Sequence, residues 1–262
     1  MSTWESLLLG FIQGATEFLP VSSSGHLVMA QAVLAIEIPG VVFEVAVHVA
    51  TLVSILLVYR TRVGALLRGA AARDPEAYRY IGLIVVATIP AGLLGVFAKD
   101  RIEALFDNPF APGVALIVTG MFLWSSKATL GRATGDRPTW LAALLIGVAQ
   151  ACALIPGISR SGATVVAAMW LGIEAREAAA FSFLMAVPAI AGAAVLQIPE
   201  MGHATGGGLS TQAVLMGSVV AGVTGVLAIR TFVAVLARRS FHFFAPYCWA
   251  AAVAYLIFLT VR

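Results

Sequence analysis

A short polar cluster near the start of the chain carries side chains that can do chemistry, and it interrupts an apolar stretch. Gln13 and Glu17 are four residues apart and share one helix face, and Pro20 then ends that helix. Three hydroxyls, a glycine and an imidazole follow within five residues: Ser22, Ser23, Ser24, Gly25 and His26. A glutamate in such an apolar segment is costly to bury, so Glu17 is a candidate functional residue. The alternatives are that Glu17 only pairs with a cation or caps a helix, and that the serines are helix caps.

A second polar cluster, between residues 156 and 164, has the composition of a phosphate site. Gly157 frees the backbone to turn, and a helix that starts near Arg160 offers unpaired N–H groups that favour an anion. The guanidinium of Arg160 is a planar fork that fits phosphate oxygens. Further donors come from Ser159, Ser161, Gly162 and Thr164. The alternative is that Arg160 pairs with Glu17 and only locks two segments together.

The two clusters match each other when the first is shifted by 137 residues. The identities pair Gly10 with Gly147, Gln13 with Gln150, Ser22 with Ser159, Ser24 with Ser161 and Gly25 with Gly162. Shared hydrophobicity does not explain identities at polar and glycine positions, so the pattern predicts an internal duplication. Ser23 aligns with Arg160. A site needs this asymmetry if one cluster supplies a nucleophile and the other a cation.

The composition indicates where these clusters lie. Of the 262 residues, 60% are hydrophobic and 11% are charged, whereas an average soluble domain has about 25% charged residues. The chain has too few charges to cover a small soluble globule, which excludes most soluble enzymes. Its net charge of +3 includes no Lys-rich run, which excludes nucleic acid as a partner. Cys152 and Cys248 lack the spacing of a zinc site.

Six apolar stretches approach the ~20 residues that cross about 30 Å of hydrocarbon. They are roughly Val41–Tyr59, Tyr80–Ala98, Phe110–Ser126, Ala178–Ile198, Gln212–Leu236 and Phe243–Val261. The regions Trp4–Ile38 and Trp140–Gly172 are instead broken by the polar clusters into halves too short to span. A broken backbone at membrane depth is tolerated only inside protein or beside a watery cavity. Both regions therefore predict re-entrant helical hairpins whose tips meet at a site.

The distribution of Lys and Arg predicts the orientation. Residues 1–59 contain neither, and five arginines place the segment 60–79 in the cytoplasm. If each following span crosses the membrane in turn, the segments 127–137 and 237–242 are also cytoplasmic. The first hairpin then enters from outside and the second from the cytoplasm. We expect an all-α polytopic membrane protein with about six full transmembrane helices plus two re-entrant hairpins, arranged as an inverted internal repeat. One integral membrane domain would cover residues 1–262, with repeats at about 1–126 and 139–262 and a site that opens to the outer side.

Two further sets of charged residues have structural explanations. Glu44 and His48 are four residues apart on the first full span, a spacing that metal ligands also use. We expect instead that Glu44 caps the helix start and that His48 packs inside. Three charges at a membrane edge are expected to be solvated or interfacial: Glu174, Arg176 and Glu177.

The two motifs resemble those of a known family. The run from Gln13 to His26 and the later run Pro156-Gly-Ile-Ser-Arg-Ser-Gly162 are similar to the signatures of the undecaprenyl-pyrophosphate phosphatase family of the bacitracin-resistance type. The segments 43–45 and 181–188 also look like this family, so the likeness covers nearly the whole chain. It implies hydrolysis of undecaprenyl pyrophosphate to undecaprenyl phosphate in the bacterial cytoplasmic membrane, which recycles the lipid carrier for cell-wall synthesis. It also implies a divalent cation, Mg²⁺ or Ca²⁺.

The resemblance carries roles onto particular residues. The family's active-site positions correspond to Glu17, Ser23, His26 and Arg160. Its supporting positions correspond to Ser22, Ser159 and Thr164, and we expect support also from Gln13, Ser24, Gly25 and Gly157. Gln13 is a departure, because a neutral amide at the family's first acidic position is a weak metal ligand and no base. We therefore expect Glu17 to bind the metal ion or act as the base, while Ser23, His26 and water stay open as the attacking group.

A second class of function stays open from the sequence. Inverted repeats with broken helices also describe secondary transporters, so the chain could flip a polyprenyl phosphate or carry an anion without hydrolysis. The serine and histidine cluster favours chemistry, because a transporter needs binding groups but no nucleophile. We expect the head group between the hairpins and the prenyl tail in lipid between the spans. The oligomeric state is open, a homodimer included.

Overall fold

The computed structural model describes residues 1–36, 42–129, 133–203 and 210–261. Regular structure in these residues is helical, with one isolated bridge between Gly135 and Ile173. The helices of the first half are α1 (Thr3–Phe18), α2 (Ser23–Leu34), α3 (Val42–Val58), α4 (Arg60–Ala71), α5 (Pro75–Phe97), α6 (Lys99–Phe106) and α7 (Ala111–Ser125). Those of the second half are α8 (Trp140–Cys152), α9 (Arg160–Trp170), α10 (Ala175–His203), α11 (Thr211–Ala237) and α12 (Phe244–Val261).

The six predicted spans are confirmed as helices, namely α3, α5, α7, α10, α11 and α12. Within the described residues, four helical segments are long and apolar enough to cross a membrane by themselves, and six if each of two bent helix pairs counts as one span. Their outward faces are apolar: more than half of the surface is exposed at Val85, Leu93, Val219, Val223 and Leu227. An exposed apolar surface of this extent suits contact with lipid. The protein is a multi-pass membrane protein.

Two short polar helices were not anticipated from the sequence. Helix α4 bends by 78° from the end of α3, and α6 makes an angle of 99° with α7. Both carry several charges, among them Arg62 and Arg68 in α4 and Arg101 in α6. Charged side chains cannot continue a span into hydrocarbon, so the helix direction changes where the charges begin.

The two predicted hairpins are also present. In the first, α1 ends at Phe18 and α2 begins at Ser23, and in the second, α8 ends at Cys152 and α9 begins at Arg160. Each half is 11 to 16 residues long, which is short for a membrane span. The predicted end of the first hairpin at Ile38 lies outside the described residues, as do Arg132 and Arg262 of the charge pattern.

Small residues let each hairpin pack closely against a helix of the other half. A Cβ added to Gly10 on α1 would lie 2.3 Å from the carbonyl oxygen of Gly217 on α11. A Cβ added to Gly147 on α8 would lie 2.4 Å from the carbonyl oxygen of Ala87 on α5. Gly10 and Gly147 are equivalent under the 137-residue shift, and α11 and α5 are each the second full span of their half. This reciprocal packing supports the duplication, while the repeat boundaries and the inverted orientation stay predictions.

An ion pair joins the two halves at one end of the bundle. Both guanidinium nitrogens of Arg62 on α4 donate to the carboxylate of Glu177 on α10, at 2.8 and 2.5 Å, and the Tyr80 hydroxyl donates to it at 3.1 Å. Glu177 has a side chain only 15% exposed, so it is paired rather than solvated, and the interfacial alternative stays a prediction. Its neighbour Glu174 accepts from the amides of Arg176 and Glu177 and thereby caps the start of α10.

Candidate active site

The tips of the two hairpins touch each other. A Cβ added to Gly25 would lie 2.9 Å from the Cα of Gly157, which itself has a φ of +100° that favours glycine. The Ser161 hydroxyl donates to the carbonyl oxygen of Leu19 across the junction, at 3.3 Å. A side chain at Gly25 would separate the tips, and one at Gly157 would collide with Pro112 and Ala115 of α7, so both positions require glycine.

The same capping pattern starts the second helix of each hairpin. The Ser22 hydroxyl accepts from the amide of Gly25 at 3.3 Å, and the Ser159 hydroxyl accepts from the amide of Gly162 at 3.1 Å. In each tip the capping serine also lies 3.3 Å, oxygen to oxygen, from the serine two residues later. The backbones differ, however, since φ is +68° at Ser22 and −74° at Ser159. The serines therefore serve as caps in both tips.

Glu17 is the centre of the polar contacts between the tips. Its Oε1 accepts from Nη2 of Arg160 at 2.6 Å. Its Oε2 accepts from the Ser23 hydroxyl at 2.5 Å and from the Gln13 amide at 3.1 Å. Glu17 is 7% exposed and Gln13 is fully buried, so these bonds form away from bulk solvent. A buried carboxylate with a positive partner and three donors is well satisfied.

Glu17 and Arg160 line a cavity of about 220 Å³ between the tips, which we call the polar cavity. Its walls come from helices α1, α2, α3, α5, α8, α9 and α10. The polar lining consists of Glu17, Ser22, Ser23, Ser24, Glu44, His48, Gln150, Ser159, Arg160 and Gln197. This volume suits a phosphate-sized group and excludes a long apolar chain.

Arg160 keeps one nitrogen for a ligand. Nη2 is bound to Glu17, whereas Nη1 is buried and has no hydrogen-bond partner among the described residues. The cap at Ser159 uses the amide of Gly162, which leaves the first amides of α9, at Arg160 and Ser161, for an anion. A buried donor without a partner is costly, so an anionic oxygen in the cavity would satisfy it.

Glu44 and His48 also reach the polar cavity, contrary to the expectation of a capping and a packing role. The side chain of His48 is 35% exposed to this space, and its Nε2 lies 4.0 Å from Oε2 of Glu17. Its Nδ1 lies 2.7 Å from the carbonyl oxygen of Glu44. The spacing of four residues on a span that faces the tips was the available signal.

Some predicted phosphate ligands lie elsewhere. The Thr164 hydroxyl donates to the carbonyl oxygen of Arg160 at 2.7 Å and pairs with the Ser182 hydroxyl at 2.6 Å, so it joins α9 to α10. Ser161 is turned toward Leu19 and Ser159, and the Gly162 amide is used by the cap. Direct phosphate contacts from these three groups are therefore not supported, whereas Ser22, Ser159 and Arg160 line the cavity.

His26 lies on the other side of the first tip. Its Nδ1 donates to the carbonyl oxygen of Ser22 at 2.8 Å, and its Nε2 accepts from the Tyr247 hydroxyl at 2.8 Å, with the two rings stacked at an interplanar angle of 7°. Both side chains line an apolar groove of about 780 Å³ between α1, α2 and α12. The structure therefore brings Glu17, Ser23 and Arg160 together without His26, whose catalytic role stays a prediction.

These features define a class of protein: a helical membrane protein in which a buried arginine, a glutamate and a serine hydroxyl line one small cavity. Comparison with known proteins gives the family. The model of the family described as "Bacitracin resistance protein BacA" matches residues 6–254. The chain belongs to this family.

Similar full-length proteins are named undecaprenyl-diphosphatase. One from Desulforapulum autotrophicum is 37% identical over 98% of each chain, and one from Desulfatibacillum aliphaticivorans is 37% identical over 97% of each. A third, from Alkaliphilus metalliredigens, is 35% identical over 98% of this chain and 99% of its own.

Proposed function

We propose that this protein hydrolyses undecaprenyl pyrophosphate to undecaprenyl phosphate and inorganic phosphate, and so recycles a lipid carrier of cell-wall synthesis. The observation that carries the proposal is that Arg160, whose Nη1 has no hydrogen-bond partner among the described residues, lines the same small cavity as the hydrogen-bonded pair Ser23 and Glu17. An anion site without a nucleophile would suit a transporter. Full-length similarity to proteins named undecaprenyl-diphosphatase supports the choice of substrate.

The geometry favours Ser23 as the attacking group. Its hydroxyl already donates to Glu17 at 2.5 Å, so Glu17 can take the proton as Oγ attacks the terminal phosphorus. The bond from Oγ to phosphorus forms, the bond from that phosphorus to the bridging oxygen breaks, and undecaprenyl phosphate leaves. Glu17 passes this proton to the departing undecaprenyl phosphate and becomes a base again. It then takes a proton from the water that attacks the phosphorus of the phosphoserine, the bond from that phosphorus to Oγ breaks, inorganic phosphate leaves, and Glu17 returns the proton to Oγ of Ser23. His26 has both ring nitrogens occupied and faces the groove, so it is the weaker candidate.

Arg160 would stabilise the charge of the phosphates. Phosphoryl transfer depends mainly on positioning and electrostatics, and the low dielectric of a buried site strengthens both. Nη1 and the first amides of α9 can receive phosphate oxygens while Nη2 keeps Glu17 in place. Arg160 thus binds the substrate and orients the base.

The cavity residues fit a divalent cation, Mg²⁺ or Ca²⁺. The carboxylates of Glu17 and Glu44 line the same space, and such ions take one or two carboxylates together with substrate phosphates. The described residues include no cluster of three or more His, Cys, Asp or Glu side chains that could hold the ion by themselves, so phosphate oxygens would complete its shell. The ion would neutralise part of the pyrophosphate charge.

The head group and the tail would occupy different spaces. Two consecutive residues of the first tip separate these spaces: Val21 lines the apolar groove and Ser22 lines the polar cavity. A prenyl chain in the groove beside α12 would stay in apolar surroundings while its pyrophosphate reaches Arg160. Membrane lipids would cover the outer side of the groove.

Membership of the BacA family supports a location in the bacterial cytoplasmic membrane, and the charge pattern supports an orientation in which the first hairpin enters from outside. The polar cavity would then open outward. Ser24 lines the cavity and is half-buried, which makes Ser24→Cys a suitable probe. In intact cells or oriented vesicles, a membrane-impermeant maleimide should label this cysteine from the outer face. Labelling confined to the cytoplasmic face would reverse the proposed orientation.

The main experiment measures phosphate release from farnesyl or undecaprenyl diphosphate by the purified protein with Mg²⁺. Ser23→Ala should lower the rate by roughly 10³-fold or more, whereas the neighbouring Ser24→Ala should change it only a few-fold. Substrate labelled in the terminal phosphate should leave acid-stable label on wild type and none on Ser23→Ala. Release without covalent label would favour direct attack by water, and no release from folded protein would favour a transporter.

A further inference from the structure

We propose that Glu44 and His48 of α3 are the protein ligands of a divalent cation in the polar cavity. The inference deepens the proposed function, since it says which side chains hold the cation of that site. The sequence motifs point instead to Glu17, so the structure moves the expected ligands from the first hairpin to a full span.

Glu17 is poorly placed to be the main ligand. Its Oε1 is held by Arg160 at 2.6 Å, and its Oε2 accepts from both Ser23 and Gln13. A cation bound to these oxygens would have to displace donors and lie next to a guanidinium, which repels it. Glu17 can still attract a cation nearby through its charge.

His48 has the orientation of a ligating histidine. A carbonyl oxygen can only accept, so the 2.7 Å contact with the carbonyl of Glu44 places the ring proton on Nδ1. In the neutral ring Nε2 then carries a lone pair, and it has no hydrogen bond among the described residues. Metal-binding histidines commonly donate their other ring nitrogen to a carbonyl or carboxylate, which fixes the ring.

Two acceptors face each other where the ion would lie. Nε2 of His48 is 4.0 Å from Oε2 of Glu17, and when the imidazole is neutral both atoms present electron pairs. The carboxylate of Glu44 lines the same cavity, one helical turn from His48. A cation bound to Nε2 of His48 and to the Glu44 carboxylate would relieve this unfavourable approach, and the charge of Glu17 would attract it without binding it.

Gln150 provides an independent sign of a missing electropositive partner. It is 2% exposed and lines the polar cavity, and its Oε1 has no hydrogen-bond partner among the described residues. Its Nε2 donates to the carbonyl oxygen of Ala87 at 3.4 Å, which leaves the oxygen available. Glutamine carbonyl oxygens bind hard cations directly or through a coordinated water.

The imidazole affects which cation binds best. Carboxylates and carbonyls suit Mg²⁺, Ca²⁺ and Mn²⁺, whereas imidazole favours first-row transition metals. A site with one nitrogen and several oxygens should therefore bind Mn²⁺ more tightly than Mg²⁺. His48→Gln should weaken this preference and leave an oxygen site.

The test uses Mn²⁺ with the purified full-length protein in lipid nanodiscs, with methylenediphosphonate present as a non-hydrolysable head group. Electron paramagnetic resonance gives the affinity, and its pulsed form detects coupling of Mn²⁺ to an imidazole ¹⁴N. We expect ¹⁴N coupling in wild type, its loss in His48→Gln and its retention in the matched control His26→Gln. Glu44→Gln should weaken Mn²⁺ binding at least about tenfold, and more than Glu17→Gln does.

Any one of three results would overturn the inference. The first is the absence of ¹⁴N coupling in wild type, and the second is coupling that survives His48→Gln. The third is Mn²⁺ binding that depends on Glu17 more than on Glu44. None of these readouts requires turnover. Phosphate release by wild type tests the proposed function separately, so release without ¹⁴N coupling would reject this cation site alone.

Discussion

The two hairpin tips share a scaffold and differ in chemistry. Both start their second helix with a serine cap, both place a serine two residues after it, and both pack a glycine of their first helix against a backbone carbonyl of the other half. The chemical differences include three aligned pairs: Glu17 with Leu154, Ser23 with Arg160, and His26 with Ala163. Duplication therefore explains how the tips are held, and divergence at a few positions explains what they can do.

The largest predicted loss of activity comes from giving the second tip the residue that the first tip has. Arg160→Ser gives the second tip the residue of the first, removes the anion donor and leaves Glu17 without its positive partner. We expect phosphate release to fall on the order of 10³-fold, as for loss of a key electrostatic group in other enzymes. Release from farnesyl diphosphate in detergent, at saturating Mg²⁺, measures the loss.

Two variants sharpen the result for Arg160. Arg160→Lys keeps the charge without the planar fork, so it should recover only part of the activity. Leu154→Met changes the residue aligned with Glu17 while nearly conserving volume, so its rate should stay within about threefold of wild type. Full activity in Arg160→Ser would contradict a role for the pair in the reaction.

The equivalence of Gly10 and Gly147 predicts equal losses of stability. An added methyl group at either would lie well inside contact distance of a backbone oxygen, at 2.3 and 2.4 Å. Each alanine variant should be destabilised by about 1–3 kcal/mol, because packed helices must separate. The apparent unfolding temperature in detergent should fall by several degrees in both.

Gly92 is the matched control for these glycines. It lies on a span, and an added Cβ would meet nothing within 4 Å, so Gly92→Ala should be neutral or slightly stabilising. A large loss for Gly10→Ala with none for Gly147→Ala would contradict reciprocal packing of the two hairpins.

The architecture could be predicted because it depends on local properties of the sequence. Length and hydropathy define the six spans, and Pro20, Gly157 and the serines mark where the hairpins break. The convergence of Glu17 and Arg160 followed from the same reasoning, since two broken segments must meet to cover their polar tips. Thr164 could have been assigned correctly too, because a threonine inside a helix commonly bonds back to the carbonyl four residues earlier.

The remaining features depend on contacts between distant residues. His26 is turned to the groove by Tyr247, which lies 221 residues later, and Glu177 is covered by Arg62, which lies 115 residues earlier. The direction in which Glu44 and His48 point is set by how α3 packs against α11 and α10. Helix α3 is apolar on nearly all faces, so its sequence pattern does not show which face meets the cavity.

The smallest predicted effect concerns the one backbone difference between the matching caps. Ser22 has a φ of +68°, where a side chain is strained by about 1–2 kcal/mol, whereas Ser159 has an ordinary φ of −74°. Replacing a serine cap by glycine costs only a few tenths of a kcal/mol. Ser22→Gly should therefore be neutral or stabilise the protein by up to about 1 kcal/mol, since glycine relieves the strain. Ser159→Gly should destabilise it slightly, because no strain is relieved there. Unfolding temperatures measured side by side in one detergent would show this opposite behaviour, and equal shifts of the same sign would mean that the two caps are under the same backbone constraint.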